Sequence, residues 1–314
     1  MRVTRRTLIT KQPMTPKVTD KPVSTAAPQD SSTASRISSA APHTAEEPPE
    51  NQPAWAVVTG GSSGIGREFA RALAARGQRV LITGRRPEQL AQTAAEIEAE
   101  TGMQIATHIV ELSDPAERRQ FLDRVDACRP LETVVANAGF GFSEPFLDAP
   151  VSLAQQMVAV HVTSVVELFH RALPIMMERR HGALIAVGSL ASLLPVPGAE
   201  VYVATKSFLN SFCESLRISV AERGVRVQLL LPGFTHTDFH RYDSEFVTRV
   251  QQSTPASWMS AADVVGASMR ALDANRLVCI PGFSNRLLAT AHRLLPRSLV
   301  RAATSRMYRK QQRR

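Results

Sequence analysis

Tyr202 and Lys206, four residues apart, are the side chains in this sequence best suited to moving a proton. On a helix, positions i and i+4 share one face with their Cβ atoms about 5–6 Å apart, so both would flank a common site. A free phenol has a pKa of about 10, too high for efficient proton exchange at neutral pH. A neighbouring ammonium favours the phenolate, and Lys206 is therefore expected to lower that value. Taken alone, this spacing describes an exposed surface pair more often than a reactive one.

The second chemical stretch is AWAVVTGGSSGIGREFARALAAR, Ala54 to Arg76. Ala56-Val57-Val58 runs into a turn, Thr59 to Gly66, which opens into Phe69 and Leu73 at helical spacing. Gly60, Gly64 and Gly66 would let the backbone approach a pyrophosphate, and the helix start would supply positive partial charge. The glycines fall as GxxxGxG, not the GxGxxG of the common dinucleotide fingerprint. A tight turn between packed elements has the same composition.

The elements around these residues alternate. Strands are expected at 79–84, 104–110, 133–136, 183–187, 226–231 and 277–280, with helices at 88–100, after Ser113-Asp114-Pro115, and at 152–180, 199–222 and 261–274. This order predicts an α/β doubly wound parallel sheet, one domain over residues 53–284. At the end of the second strand an acid would hold the ribose hydroxyls of NAD. Gly84 stands there, followed by Arg85 and Arg86. Arginine suits a 2′-phosphate, so NADP is expected in preference to NAD.

Further motifs occur in a set order: Asn137-Ala138-Gly139 after the fourth strand, Leu173-Pro174 with Met176-Met177, Ser189 after the fifth, Tyr202 thirteen residues later, and Pro232-Gly233 after the sixth. With TGGSSGIG, this set resembles the classical short-chain dehydrogenases/reductases across about residues 54–282. The resemblance implies a Rossmann-type fold and hydride transfer between a nicotinamide and a carbonyl or alcohol carbon. Tyr202 would exchange a proton with the substrate oxygen, Ser189 would hydrogen-bond that oxygen, and Lys206 would hold the nicotinamide ribose. The cofactor would rest on Thr59, Gly60, Ser62, Ser63, Gly64, Ile65 and Gly66, with Arg85 and Arg86 at the adenosine end. Glu111, Leu112, Asn137, Ala138 and Gly139 would border it, together with Pro232, Gly233, Thr235 and Thr237. Two positions depart from the family pattern. Glu111 replaces an aspartate near the adenine, and His161 replaces an asparagine that helps hold a water path to the lysine. His161 joins the catalytic candidates because it can hydrogen-bond a water and can charge near neutral pH; the other reading is a buried helix residue.

The substrate region is expected at Phe140–Phe146, Leu190–Ala199 and Phe234–Trp258. The last contains Phe234, Phe239, Tyr242, Phe246 and Trp258, the character of a lid over an apolar acyl, lipid-like or steroid-like substrate. A cofactor-binding scaffold or redox sensor without turnover is the rival reading. Cys128, Cys213 and Cys279 lie far apart with neither zinc nor disulfide spacing, which suits a reducing, cytoplasmic setting; no metal is expected. No uninterrupted apolar run reaches about 18 residues, so no transmembrane segment is expected.

Residues 1–52 are rich in Ser, Thr, Pro and Ala and are expected to be disordered. Arg2, Arg5, Arg6, Lys11 and Lys17 precede the first acid, as in an organellar leader, but Pro13 and Pro16 interrupt any amphipathic helix, so a plain tail is preferred. Residues 285–314 form a basic amphipathic extension. It would either lie on an anionic membrane surface or dock on its own domain; with no recognition motif, nucleic acid is not favoured. Family relatives assemble through their long helices, so a homo-oligomer is compatible with the resemblance.

Overall fold

Seven short apolar runs form one parallel sheet, in the order β3-β2-β1-β4-β5-β6-β9. The strands are β1 (Trp55–Val58), β2 (Arg79–Gly84), β3 (Ile105–Ile109), β4 (Leu131–Ala136), β5 (Gly182–Val187), β6 (Val225–Leu230) and β9 (Val278–Cys279). A separate two-stranded pair joins β7 (Thr235–His236) to β8 (Met259–Ser260). The computed structural model describes residues 52–141, 146–237 and 258–312, all within one compact unit, Glu47–Arg314. The expected N-terminal tail to residue 51 and the lid residues 238–257 lie outside the described residues.

Both faces of the sheet are covered, which is why its strands read as continuous apolar runs. Side chains alternate between faces along each strand. Val57, Val134 and Leu184 pack with Phe121 of α3 (Pro115–Asp126), Phe169 of α5 (Ser164–Glu178) and Leu209 of α6 (Glu200–Ser219). On the other side Val58, Val135 and Ile185 pack with Phe69 of α1 (Gly64–Ala74), Leu90 of α2 (Pro87–Thr101) and Val264 of α7 (Ala261–Asp273). Asp114 caps α3 as its sequence suggests, accepting the N–H groups of Ala116 and Glu117.

The segment expected as one long helix is α4 (Val151–Val158), a wide π turn (Ala159–Thr163) and α5. Side-chain periodicity is nearly continuous across the turn, so the widened backbone is not visible in it. By length and composition, Val151–Glu178 (mean hydropathy 1.2) could cross a membrane. In this fold, however, Leu168, Phe169, Ala172 and Met176 are buried in the core. After β9 come α8 (Phe283–Leu294) and α9 (Arg297–Gln312), two helices in the stretch read from the sequence as the basic extension.

Candidate active site

The chain reverses its direction of travel across the sheet at β1, which pairs with β2 on one side and β4 on the other. A crevice at the carboxyl ends of strands opens at such a point, and both glycine-bearing motifs meet there. Thr59 Oγ1 accepts the N–H groups of Asn137 and Ala138, each at 3.0 Å. Asn137 Nδ2 returns two bonds, to the carbonyls of Thr59 (2.9 Å) and Gly60 (3.1 Å). Asn137 therefore braces the bend from the neighbouring strand.

The bend fits a dinucleotide phosphate. Gly64, at φ +53°, lies where a Cβ would come within 2.8 Å of Thr237. At Gly66 a Cβ would stand 2.1 Å from the Gly60 carbonyl oxygen. Ser63 precedes α1 without a side-chain cap, and the first turn holds no acid. The opening N–H groups of α1 are thus left to an anion. Ser62 is buried, with its carbonyl accepting Thr93 Oγ1, and Ile65 is half-buried against the core. At the adenosine end Arg85 and Arg86 are exposed, and Arg85 reaches Glu111 at 3.3 Å. The Leu112 side chain is in the core and its carbonyl accepts a bond from Arg118. Pro232, Gly233, Thr235 and Thr237 follow β6: the Pro232 carbonyl accepts the Leu190 N–H, and Thr235 Oγ1 donates to the Gly233 carbonyl.

Ser189, Tyr202 and Lys206 come together as the motif order suggests. Ser189 leaves β5 and caps the 3-10 turn Leu190–Leu193, its Oγ accepting the Ala191 N–H at 3.2 Å; its hydroxyl is also hydrogen-bonded to Tyr202. Lys206 is buried, donates from Nζ to the Val187 carbonyl at 2.9 Å and lies 6.0 Å from the Tyr202 ring centre. The expected lowering of the phenol pKa by the ammonium is not what this arrangement produces. Burial raises the Tyr202 pKa and the Ser189 bond opposes it, while burial brings Lys206 down to about 8. Partial desolvation makes a charged phenolate costly, and this outweighs an amine engaged elsewhere. At neutral pH Tyr202 is a protonated acid.

His161, in the π turn, is almost fully buried and both ring nitrogens are engaged. Nε2 accepts the Phe140 N–H at 3.0 Å and Nδ1 meets Thr205 Oγ1 at 3.0 Å. Because a backbone N–H can only donate, Nε2 carries no proton, so Nδ1 bears it and donates to Thr205. Thr205 in turn donates to the Tyr202 carbonyl at 2.8 Å. Burial first, then the Lys206 charge, hold His161 well below the usual imidazole pKa. The expectation that it charges near neutral pH is therefore corrected. With both nitrogens taken, the ring acts as a strut between the Asn137-Ala138-Gly139 loop and the Tyr202 helix. Gly139 makes room for it, since a Cβ there would lie 2.9 Å from Nε2. Thr205, a mere spacer in the sequence motif, was the residue missed; nothing local marks its hydroxyl as the link.

His161→Ala leaves the Phe140 N–H unpaired and opens a cavity, so a loss of about 2–4 kcal/mol in urea unfolding is expected. Since the folded pKa lies below the unfolded value of about 6.5, this histidine withdraws stability as pH falls through 6.5 and the variant should lose that part of the acid sensitivity. A variant with unchanged stability and unchanged acid sensitivity would refute the strut.

Beside Tyr202 lies a cleft of about 280 Å3 lined by Phe146, Leu147, Val151, Ala154 and Val201. Only its Gly198–Ala199 edge falls in the expected Leu190–Ala199 stretch; α4 supplies a wall that sequence reasoning did not assign. Among the aromatics expected in the lid, Phe234 and Trp258 pack on each other with ring centres 5.3 Å apart, across the β7–β8 pair.

A parallel sheet with a bend able to take a phosphate at its switch point, and beyond it a buried amine beside a half-buried phenol and hydroxyl, defines a dinucleotide-dependent oxidoreductase. The short-chain dehydrogenase family model matches residues 54–247, and the chain belongs to that family. It is an NAD(P)-dependent oxidoreductase of carbonyl and alcohol groups. The chain is 32% identical over 216 residues to a very-long-chain 3-oxoacyl-CoA reductase of Anas platyrhynchos, covering 67% of each protein. It is 32% identical over 186 residues to sulfoacetaldehyde reductase 2 of Chromohalobacter salexigens, covering 58% of this chain and 73% of that one. A short-chain dehydrogenase from Sphingobium yanoikuyae, solved in complex with NADPH, superposes with a TM-score of 0.69 at 25% identity, covering 76% of this chain and 92% of that one.

Proposed function

We propose that this protein is an NADP-dependent reductase of carbonyl groups on apolar, acyl-like substrates, working as a homo-oligomer near membrane surfaces. The observation that carries the reading is the half-buried, protonated Tyr202 phenol, hydrogen-bonded to Ser189 and opening on an apolar cleft. Bound nicotinamide would supply the hydride. Tyr202 would give its proton to the carbonyl oxygen, with Ser189 hydrogen-bonding the same oxygen as charge develops on it. Lys206 would hold the ribose, and the Thr59–Gly66 bend the phosphates. The duck relative, whose name specifies a 3-oxoacyl-CoA, supports an acyl substrate. The bacterial one, named for a small sulfonated aldehyde, supplies the opposite probe.

A panel of 3-oxoacyl thioesters of increasing chain length, simple ketones and sulfoacetaldehyde, each with NADPH, tests the reading. Long 3-oxoacyl thioesters should show the highest kcat/KM; a preference for sulfoacetaldehyde would overturn the apolar assignment.

For the cofactor, replacing Arg85 and Arg86 together by Ala should raise KM for NADPH about 10–100-fold, as loss of one or two charge-assisted bonds of about 1.5–3 kcal/mol implies. KM for NADH should be unchanged. An equal rise for both cofactors would remove these arginines from 2′-phosphate recognition.

A further inference from the structure

Nine of the 37 Lys and Arg residues, and none of the 28 acids, lie in residues 285–314. The other 28 cations balance the 28 acids, so this segment carries the whole net charge of +9. A third of it lies in the helix α8, which among the described residues meets the rest of the fold on one side. Asn285 and Ala289, one turn apart, are buried; a Cβ at Gly233 would collide with the Asn285 side chain at 2.6 Å. α8 also packs against the 3-10 turn that follows Ser189.

The opposite side is apolar where it meets water. With 3.6 residues per turn, Phe283, Leu287 and Leu294 fall on one stripe facing away from Asn285 and Ala289. They are 75%, 61% and 80% exposed. Arg286 and Arg293 flank that stripe; exposed Leu295 stands just before the Pro296 break, and beyond it exposed Leu299 continues among Arg297 and Arg301. An apolar stripe edged by arginines and lacking any acid is the pattern of a helix lying in a bilayer interface, apolar side down and guanidinium groups among anionic headgroups.

We propose that the outer face of α8 and α9 docks this enzyme on anionic lipid bilayers, with the nicotinamide end of the site, through Gly233 and the Ser189 turn, directly behind the docked helix. Charge decides the occupant. A second copy meeting this face with its own would place two acid-free cationic segments together, and duplex nucleic acid would leave the leucine stripe in water. The inference extends the reading of an enzyme of lipid-like substrates, but its test needs no turnover, so the two fail separately.

The full chain is floated with vesicles of phosphatidylcholine alone or mixed with phosphatidylglycerol. Co-flotation is expected only with the anionic mixture. Leu287→Ser with Leu294→Ser, and separately Arg286→Ser with Arg293→Ser, should each weaken it at least tenfold, with unchanged thermal melts showing that the variants fold. Three outcomes overturn the proposal: no flotation of the parent protein, full binding by the leucine variant, or a parent dimer that the leucine variant dissolves without any vesicle binding. Tighter binding to duplex DNA than to vesicles at the same salt would also overturn it.

Discussion

Tyr202→Phe is expected to lower kcat/KM for carbonyl reduction by about 10²–10⁴, the usual contribution of a positioned general acid, with NADPH affinity unchanged. The phenol is half-buried, desolvation there keeps the proton on at neutral pH, and Ser189 is its hydrogen-bond partner. Phenylalanine retains the ring that stands edge-on to His161 at 5.8 Å, so the loss is of the hydroxyl alone. Steady-state rates with NADPH, beside fluorescence titration of the cofactor, check this. Turnover by the variant equal to the parent would mean that the proton comes from elsewhere. Absence of turnover in both, with NADPH still bound, would favour a scaffold.

Gly66→Ala should remove NADPH binding and destabilise the fold by about 3 kcal/mol or more, because the new methyl group meets atoms that cannot retreat. Its Cβ would stand 2.1 Å from the Gly60 carbonyl oxygen and 2.5 Å from Asn137 Nδ2. These two groups are bonded to each other at 3.1 Å and hold the bend closed on β4. Gly84→Ala is the contrast. Its Cβ would approach Ser62 Oγ at 3.2 Å and Leu90 Cδ1 at 3.3 Å, both side-chain ends able to shift by a few tenths of an ångström. Urea unfolding and cofactor titration of both variants read the difference. Equal, small effects would show that the bend is slack and that phosphate binding does not depend on its shape.

The sheet was largely legible in advance. β2 occupies 79–84 as expected, and α7 ends one residue short of the expected helix. The fold therefore follows from local patterns, because strands buried on both faces and helices with one buried stripe leave their period in the order of residues. The pairing of Tyr202 with Lys206 was legible for the same reason. What the pairing does to the phenol was not. Sequence spacing says that the amine can reach, but Lys206 is drawn to the Val187 carbonyl, and enclosure then sets the pKa of both groups.

His161 shows the same limit more sharply. Its type suggested a titrating relay, and only the convergence of Phe140, Thr205 and Lys206, from the loop after β4 and from α6, makes it a neutral strut. The cleft wall from α4 likewise comes from far along the chain.

By itself, the order of amino acids determined the α/β architecture, the glycine bend, the helical face shared by phenol and amine, and a cationic end without acids. Those properties depend on spacing, on the absence of a side chain or on charge type, which the chain carries into any environment. Tertiary structure alone decided which groups are protonated, which nitrogens are already bonded and which leucines face water. Each of these depends on solvent exclusion and on partners distant in the chain, and neither exists until the layers have closed.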